Sequence, residues 1–279
     1  MQQSVTSSPR HVPQGLEAST LQLTPAVGTA PGVVISVVMP VYNEQAVVGQ
    51  VIDGFVRVLG KLQVPFEVIA LNDGSRDGTA GELEAAAARH PGVVRVLGHA
   101  NRGHGPTLLR GLAEARGEWV FHTDSDDEMP PEPLAELWAR RHEAPLLLGW
   151  RQGREAPLAR RVVTAGAHWA ARLLLGGAPR DINTPYRLMH APTIGPAWRA
   201  LPPDTFAPNV LIAGWACRHA LPMVELPVPH RGRRTGRVSL TSMKLWRAAG
   251  RALWQTVRLA RAMRRLEPVA VGACGPTRG

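Results

Sequence analysis

At 279 residues and 44% apolar side chains, the chain is long enough for one large domain with a buried core and too apolar to be disordered throughout. Its formal charge of +10, carried almost entirely by arginine, favours an anionic partner: nucleic acid, nucleotide phosphates or an acidic membrane surface. Two cysteines, Cys217 and Cys274, exclude a disulfide framework or cysteine zinc site and point to a reducing compartment.

No run approaches the roughly 18 apolar residues of a membrane span, and Met1–Pro9 lacks the basic and apolar regions of a signal peptide. Residues 1–32, rich in Ser, Thr, Gln, Pro and Gly, read as a disordered tail. Short β-branched runs then predict strands at Val33–Met39, Phe66–Leu71, Val93–Leu97 and Trp119–Phe121. Helical patterns lie between them at Gln45–Leu59, Thr79–Arg89 and Pro106–Arg116. This alternation predicts an α/β fold, a mostly parallel sheet with helices on both faces. Ligands of such sheets sit beyond the carboxyl ends of strands, which selects the loops Pro40–Glu44, Asn72–Thr79 and Asp124–Glu128.

The second half is less regular. Ala144–Trp150 and Met223–Val228 read as strands, Asp181–His190 as extended, and Arg160–Leu175 and Asn209–His219 as helices. Prolines 185, 192, 196, 202, 203 and 208 exclude long helices between them. A main domain over 33–238 is followed by a basic helical region, 239–266, and a loose tail, 267–279.

The densest chemistry lies in Asp124-Ser-Asp126-Asp127-Glu128. Strand alternation would point Asp124, Asp126 and Glu128 to one side, where like charges repel unless a cation sits among them. A hard divalent ion, Mg²⁺ or Mn²⁺, suits such oxygens, and these three are the candidate ligands. The alternative is an idle, solvated acidic tip. An EF-hand does not fit, because Met129 stands where its turn glycine belongs and Ala135 where its bidentate Glu belongs. In the second loop, the strand-end position of Asn72 and Asp73 favours ligand binding, while Asp77 is equally readable as a turn and helix cap. Asn101-Arg-Gly103-His-Gly105 has Leu108 at the third glycine position, which argues against a dinucleotide fingerprint. Its glycines predict a close approach to the site and then a helix start; His104 and His122 are read as structural.

Met39-Pro40-Val-Tyr42-Asn43-Glu44, Asn72-Asp73-Gly74-Ser75-Arg-Asp77-Gly78-Thr79, Asn101-Arg-Gly103-His-Gly105 and Asp124-Ser-Asp126, in that order, resemble the signature of family 2 inverting glycosyltransferases of GT-A fold. Gly149-Trp-Arg151, Leu158–Thr164, Asp181–Arg187 and Arg233–Leu240 resemble the polyprenyl-phosphate branch, which includes dolichyl-phosphate mannose synthases. The resemblance spans Val33 to Leu240. It implies that Pro40, Tyr42, Glu44, Asn72, Asp73 and Asp124 line the nucleotide pocket and that Asp124 and Asp126 form a DxD pair, Asp126 on the metal. Glu128 stands where that branch has Gln, Asn72 replaces the first Asp of an Asp-Asp pair, and Thr184-Pro185 replace small residues.

A nucleotide-diphosphate sugar leaves behind a diphosphate that gathers charge, which a metal and arginine forks stabilise. Arg151, Arg160 and Arg233 are the candidates, with ordinary surface arginines as the alternative. A hydroxyl acceptor needs a base, for which Asp181 is the candidate unless it serves as a structural partner of Arg187. A phosphate acceptor is already ionised near neutral pH and needs no base.

Lys244, Arg247, Arg251, Arg258, Arg261 and Arg265 recur at helical spacing beside Met243, Trp246 and Trp254. A helix of this kind lies in the headgroup region of an anionic membrane, or else packs on the domain with a solvated basic edge. The expected partners are therefore a nucleotide-diphosphate sugar, a polyprenyl phosphate and an anionic membrane surface, at the cytoplasmic, inner face. Nucleic acid is disfavoured because stacking aromatics are sparse apart from tryptophan. Rival readings are transfer to a hydroxyl of a glycan or soluble acceptor, a basic nucleic-acid binder, and a non-catalytic nucleotide-sugar binder.

Overall fold

The computed structural model describes residues 32–153 and 178–232. Seven strands form one sheet among these residues: β1 (Ile35–Val41), β2 (Phe66–Asn72), β3 (Val94–Gly98), β4 (Trp119–His122), β5 (Leu146–Gln152), β6 (Arg187–His190) and β7 (Met223–Pro229). Their order is β3-β2-β1-β4-β6-β5-β7. Strands β3, β2, β1 and β4 are mutually parallel, β6 runs antiparallel between β4 and β5, and β7 pairs parallel with β5.

Both faces of the sheet are covered. Ile35, Val37 and Met39 of β1 point into one core with Phe55 and Leu59 of α1 (Val48–Gly60) and Leu83 of α2 (Thr79–Arg89). Leu134 and Leu137 of α4 (Pro133–Ala139) close the same face. Val38, between them in sequence, points the other way. There it joins Leu108 and Leu112 of α3 (His104–Glu114), Ile194 and Trp198 of α5 (Ala191–Arg199), and Leu211 and Trp215 of α6 (Pro208–Arg218). Period-2 alternation in the strand thus feeds two separate cores. On α1, Val48, Val51, Ile52, Phe55, Val58 and Leu59 are buried, the three-and-four spacing of a one-sided helix.

The elements predicted as far as β4 agree with the structure to within a few residues, and α4 is not among them. The proline-rich second half departs more. Helix α5 was not expected; it carries Pro192 in its first turn and Pro196 inside, and ends within nine residues. Of the expected extended stretch Asp181–His190, only Arg187–His190 is strand. The preceding turn wraps around the Arg187 guanidinium, which is fully buried and donates to the carbonyls of Thr184, Ile182 and Asn209. Burial pulls that guanidinium down to about 9, and its hydrogen bonds go to backbone oxygen rather than to Asp181. The expected helix Arg160–Leu175, candidates Arg160 and Arg233, the tail 1–31 and the basic region from residue 239 lie outside the described residues.

The strand order turns around between β1 and β4, and the sheet opens there. Pairing of β4 with β1 runs only from Ile35 to Val38. Thr123 N–H bonds to Val38 C=O, so even-numbered residues of β1 face β4. Pro40 faces the same way, just past the last ladder bond, so its missing N–H costs nothing. This gap at the carboxyl ends of β1 and β4 is the crevice in which such sheets bind ligands.

Helix α3 enters beside that crevice under a tight constraint. A Cβ on Gly105 would collide with the carbonyl oxygens of Thr205 and Phe206. Backbone oxygens cannot swing aside as a side chain can. Gly105→Ala should therefore destabilise the protein by about 1–3 kcal/mol, read by denaturant titration, whereas Gly81→Ala, with open space around it, should not.

Candidate active site

Three loops converge on the crevice. After β1, Tyr42 is 41% exposed and Glu44 is 7% exposed. Glu44 N–H bonds to Thr79 Oγ1 at 2.9 Å, tying this loop to the start of α2. Asn43 adopts the left-handed conformation and accepts from Arg76 N–H, so the first and second loops brace each other.

After β2, Asn72 Oδ1 accepts from Ser75 N–H at 2.9 Å, an Asx-type turn. Asp73 is 4% exposed, and its two oxygens accept from the backbone N–H groups of Arg102 (2.8 Å) and Gly103 (2.9 Å). Its carboxylate anchors the glycine loop in front of α3. Gly74 has φ +66°, and a Cβ there would stand 2.6 Å from Asn101 N, so only glycine permits this approach. Asp77 accepts from Thr79 N–H and Oγ1–H, which is its capping reading, and Gly78 bonds to Gln45.

After β4, the chain does not continue as a strand. Alternation along β4 was the premise for grouping the carboxylates, but β4 ends at His122 and Asp127 has φ +58°. The grouping has another cause: the left-handed turn and a bond from Glu128 N–H to Asp126 Oδ1 (3.2 Å) fold the loop back. Asp124, Asp126 and Glu128 line one small cleft with Thr123, Met129, Arg151 and Pro185. The segment after β7 holds this loop from outside, through Arg231 N–H to Glu128 C=O (2.8 Å) and His230 Nε2 to Glu128 Oε2 (2.9 Å).

Burial pushes the Asp126 carboxyl up to about 7, and the charges of Asp124, Glu128 and Glu44 add to the rise against the Glu128 N–H bond. Such a site is short of positive charge, and a divalent cation fits its oxygen donors. A second grouping was not anticipated. His104 Nε2 and His122 Nε2 lie 3.9 and 4.0 Å from Asp124 Oδ1, and this His, His, Asp set has the spacing of a possible metal site. No local pattern hints at it, because β4 and α3 meet only in the folded sheet.

Arg151 and Asp181, assigned separate roles from sequence, are bonded to each other. Arg151 Nε and Nη2 donate to Asp181 Oδ2 (2.6 Å) and Oδ1 (2.9 Å), a bidentate fork at the cleft wall. Asp181 is thereby a partner of Arg151, where a partner of Arg187 had been the structural alternative.

A mixed α/β sheet with a carboxylate cluster beyond its switch point, and helices on both faces, is the GT-A nucleotide-diphospho-sugar transferase fold. Solved structures agree. Glucosyl-3-phosphoglycerate synthase from Mycobacterium tuberculosis, in complex with Mn²⁺, UDP and glucosyl-3-phosphoglycerate, superposes with TM-score 0.62 at 19% identity over 82% of this chain and 81% of that one. Mannosyl-3-phosphoglycerate synthase from Rubrobacter xylanophilus gives TM-score 0.58 at 17% identity over 85% and 77%. Residues 36–172 match the family model for glycosyl transferase family 2, so the chain carries a domain of that family. Among its relatives, the undecaprenyl-phosphate 4-deoxy-4-formamido-L-arabinose transferase of Pseudomonas paraeruginosa strain PA7 is 30% identical over 213 residues, and that of Pseudomonas aeruginosa strain PAO1 is 30% identical over 219. These matches take in 76% of this chain and 61% of each relative, so the chain spans about three fifths of their length.

Proposed function

We propose that this protein transfers a sugar from a nucleotide-diphosphate donor, with inversion and with Mg²⁺ or Mn²⁺, to a polyprenyl phosphate at the cytoplasmic membrane face. The observation that carries this reading is the buried, charge-raised carboxyl of Asp126 at the gap between β1 and β4. In this reading Pro40, Tyr42, Glu44, Asn72 and Asp73 surround the nucleotide, and Asp124, Asp126 and Glu128 hold the metal. When bound, the metal neutralises charge on the departing diphosphate. Asp73 acts by fixing the Arg102–Gly103 backbone, and Asn72 by shaping the turn at Ser75.

The acceptor assignment draws on the relatives, named for undecaprenyl phosphate, and on the basic stripe Lys244–Arg265 in the sequence. No helix among the described residues is long and apolar enough to cross a membrane. In this reading the stripe holds the protein to the membrane surface, by its arginines and tryptophans. The Arg151–Asp181 fork fits a phosphate acceptor better than a hydroxyl one. Both Asp181 oxygens accept from a guanidinium, an arrangement that aligns Arg151 and engages the oxygens a base would use.

The test is direct. Full-length protein with Mn²⁺, a panel of nucleotide sugars and polyprenyl phosphate should yield a lipid-linked sugar. Transfer to a soluble acceptor with no lipid product from any donor would overturn the acceptor assignment. Asp181→Asn should lower kcat only about tenfold and leave the pH profile of kcat unchanged, through loss of Arg151 alignment. A general base would instead cost about 10²–10⁴-fold and remove a basic limb from the profile.

A further inference from the structure

Neither imidazole beside Asp124 has a role in the reading above. His122, the last residue of β4, has a side chain 0% exposed, and among the described residues both its ring nitrogens lack a hydrogen-bond partner. Asn209 Oδ1, from α6, is likewise buried without a hydrogen bond of full geometry, yet it stands near enough to the ring to favour the protonated imidazole, so it can satisfy one ring nitrogen and not both. Buried polar groups left unsatisfied destabilise a fold, so an imidazole at this depth calls for a partner. Pairing Nδ1–H with Asn209 would leave Nε2 to face Asp124 and His104. The distances of 3.9 and 4.0 Å to Asp124 Oδ1 are too long for hydrogen bonds, and the three donor atoms lie within 4.8 Å of one another. A first-row divalent ion binds N and O at about 2.0–2.2 Å, which sets its ligands roughly 3.0–3.5 Å apart. Closing that difference requires movement of about 1 Å. The His104 and Asp124 side chains, 50% and 40% exposed, are free to make it around the fixed His122.

We infer that His104, His122 and Asp124 form a nitrogen-containing cation seat that selects imidazole-binding ions such as Mn²⁺, Co²⁺ or Zn²⁺ over Mg²⁺. Imidazole binds Zn²⁺ and Co²⁺ well and Mn²⁺ more weakly, whereas Mg²⁺ keeps to oxygen and water. The inference rests on the proposed metal site only for Asp124, which the two groupings share.

Pulsed electron paramagnetic resonance of the full-length protein loaded with Mn²⁺ reads directly bound nitrogen as ¹⁴N modulation. Modulation is expected in the wild type and weakened in His104→Ala, a half-exposed position whose replacement leaves the fold intact by thermal melting. Mn²⁺ affinity by calorimetry should fall about tenfold or more in His104→Ala, and Mg²⁺ affinity less than about threefold. His122→Asn should give the same pattern. Asp126→Asn separates the two readings, because it should weaken both ions alike and keep the ¹⁴N signal of whatever Mn²⁺ remains bound. If Asp126→Asn leaves both affinities unchanged while the signal persists, the carboxylate reading fails and the imidazole seat stands. Bound Mn²⁺ without ¹⁴N modulation, equal loss of Mn²⁺ and Mg²⁺ in His104→Ala, or no Mn²⁺ binding at all overturns the seat.

Discussion

Asp126→Asn should lower sugar transfer by on the order of 10²–10³-fold or more and, without metal, make the protein more stable at pH 8 than the wild type. Both effects have one cause. The Asp126 carboxyl rises from an ordinary 3.8 to about 7 through burial, with Asp124, Glu128 and Glu44 adding repulsion. Between those values the folded chain keeps a proton that the unfolded chain has released. Stability of the metal-free protein therefore falls as pH climbs from about 4 to about 7, by about 4 kcal/mol at most for a shift of this size. Asparagine removes the titration, and with it this contribution to the slope. Urea titrations at pH 5 and pH 8 in the presence of a chelator check the sign. Added Mn²⁺ should stabilise the wild type at pH 8 and have much less effect on the variant. A wild type equally stable at both pH values in chelator would contradict this account of the cluster.

The second large effect lies at the opposite end of the strands. Glu67, on β2, is 1% exposed and accepts from Ser36 Oγ (2.7 Å), Arg95 Nη1 (2.9 Å), and the backbone and guanidinium N–H groups of Arg116 (3.0 and 2.7 Å). Burial alone would raise its carboxyl, but the bonds from Arg116, Ser36 and Arg95 outweigh it and hold the group below its ordinary value. Glu67→Ala should cost about 3 kcal/mol, since it strands the Ser36 hydroxyl as a donor, leaves Arg116 N–H only its longer bond to Ser36 Oγ (3.2 Å), and takes the carboxylate from two arginines. Its two arginine partners remain partly exposed and recover some solvation, which keeps the loss near the lower end for a buried pair. The lowered value fixes the pH sense. This stabilisation is complete above the unfolded value near 4.5 and is lost as pH falls through the folded value. Acid should thus weaken the Glu67 end of the sheet while relaxing the Asp126 end. Chemical denaturation of Glu67→Gln and wild type from pH 3 to pH 7 would separate the two.

Much of this was legible in the sequence because the first half obeys local rules. Continuous β-branched runs mark buried parallel strands, and Thr79–Arg89 was read to the residue because a glycine turn precedes it and a charged end follows. Strand alternation predicts that Asp124, Asp126 and Glu128 share one side; they do line one cleft, but a turn brings them there. Nothing local announces the left-handed Asp127, so a turn looked like a continuing strand. Arg151 and Asp181 were both singled out, but their mutual fork requires β5 to lie beside the turn before β6, which only the sheet order supplies. From sequence, His122, like His104, reads as structural. Its proximity to His104 depends on how α3 packs beside β4, a long-range fact with no periodic signature.

Strand β6 carries a consequence for how the molecule comes into being. Strands β1 to β4 are complete by His122, yet the outer edge of β4 stays unpaired until Arg187–His190 arrives antiparallel. Strand β5 cannot fill that edge, because both of its own partners, β6 and β7, are made later. During synthesis the nascent sheet therefore waits with a bare hydrogen-bonding margin, the kind of surface that recruits other chains. Arg187 closes that margin and also fastens the turn that brings Asp181 to Arg151. Sheet closure and assembly of the Arg151–Asp181 wall of the cleft thus wait on the same late strand, and a chain stopped before β6 would be an aggregation hazard.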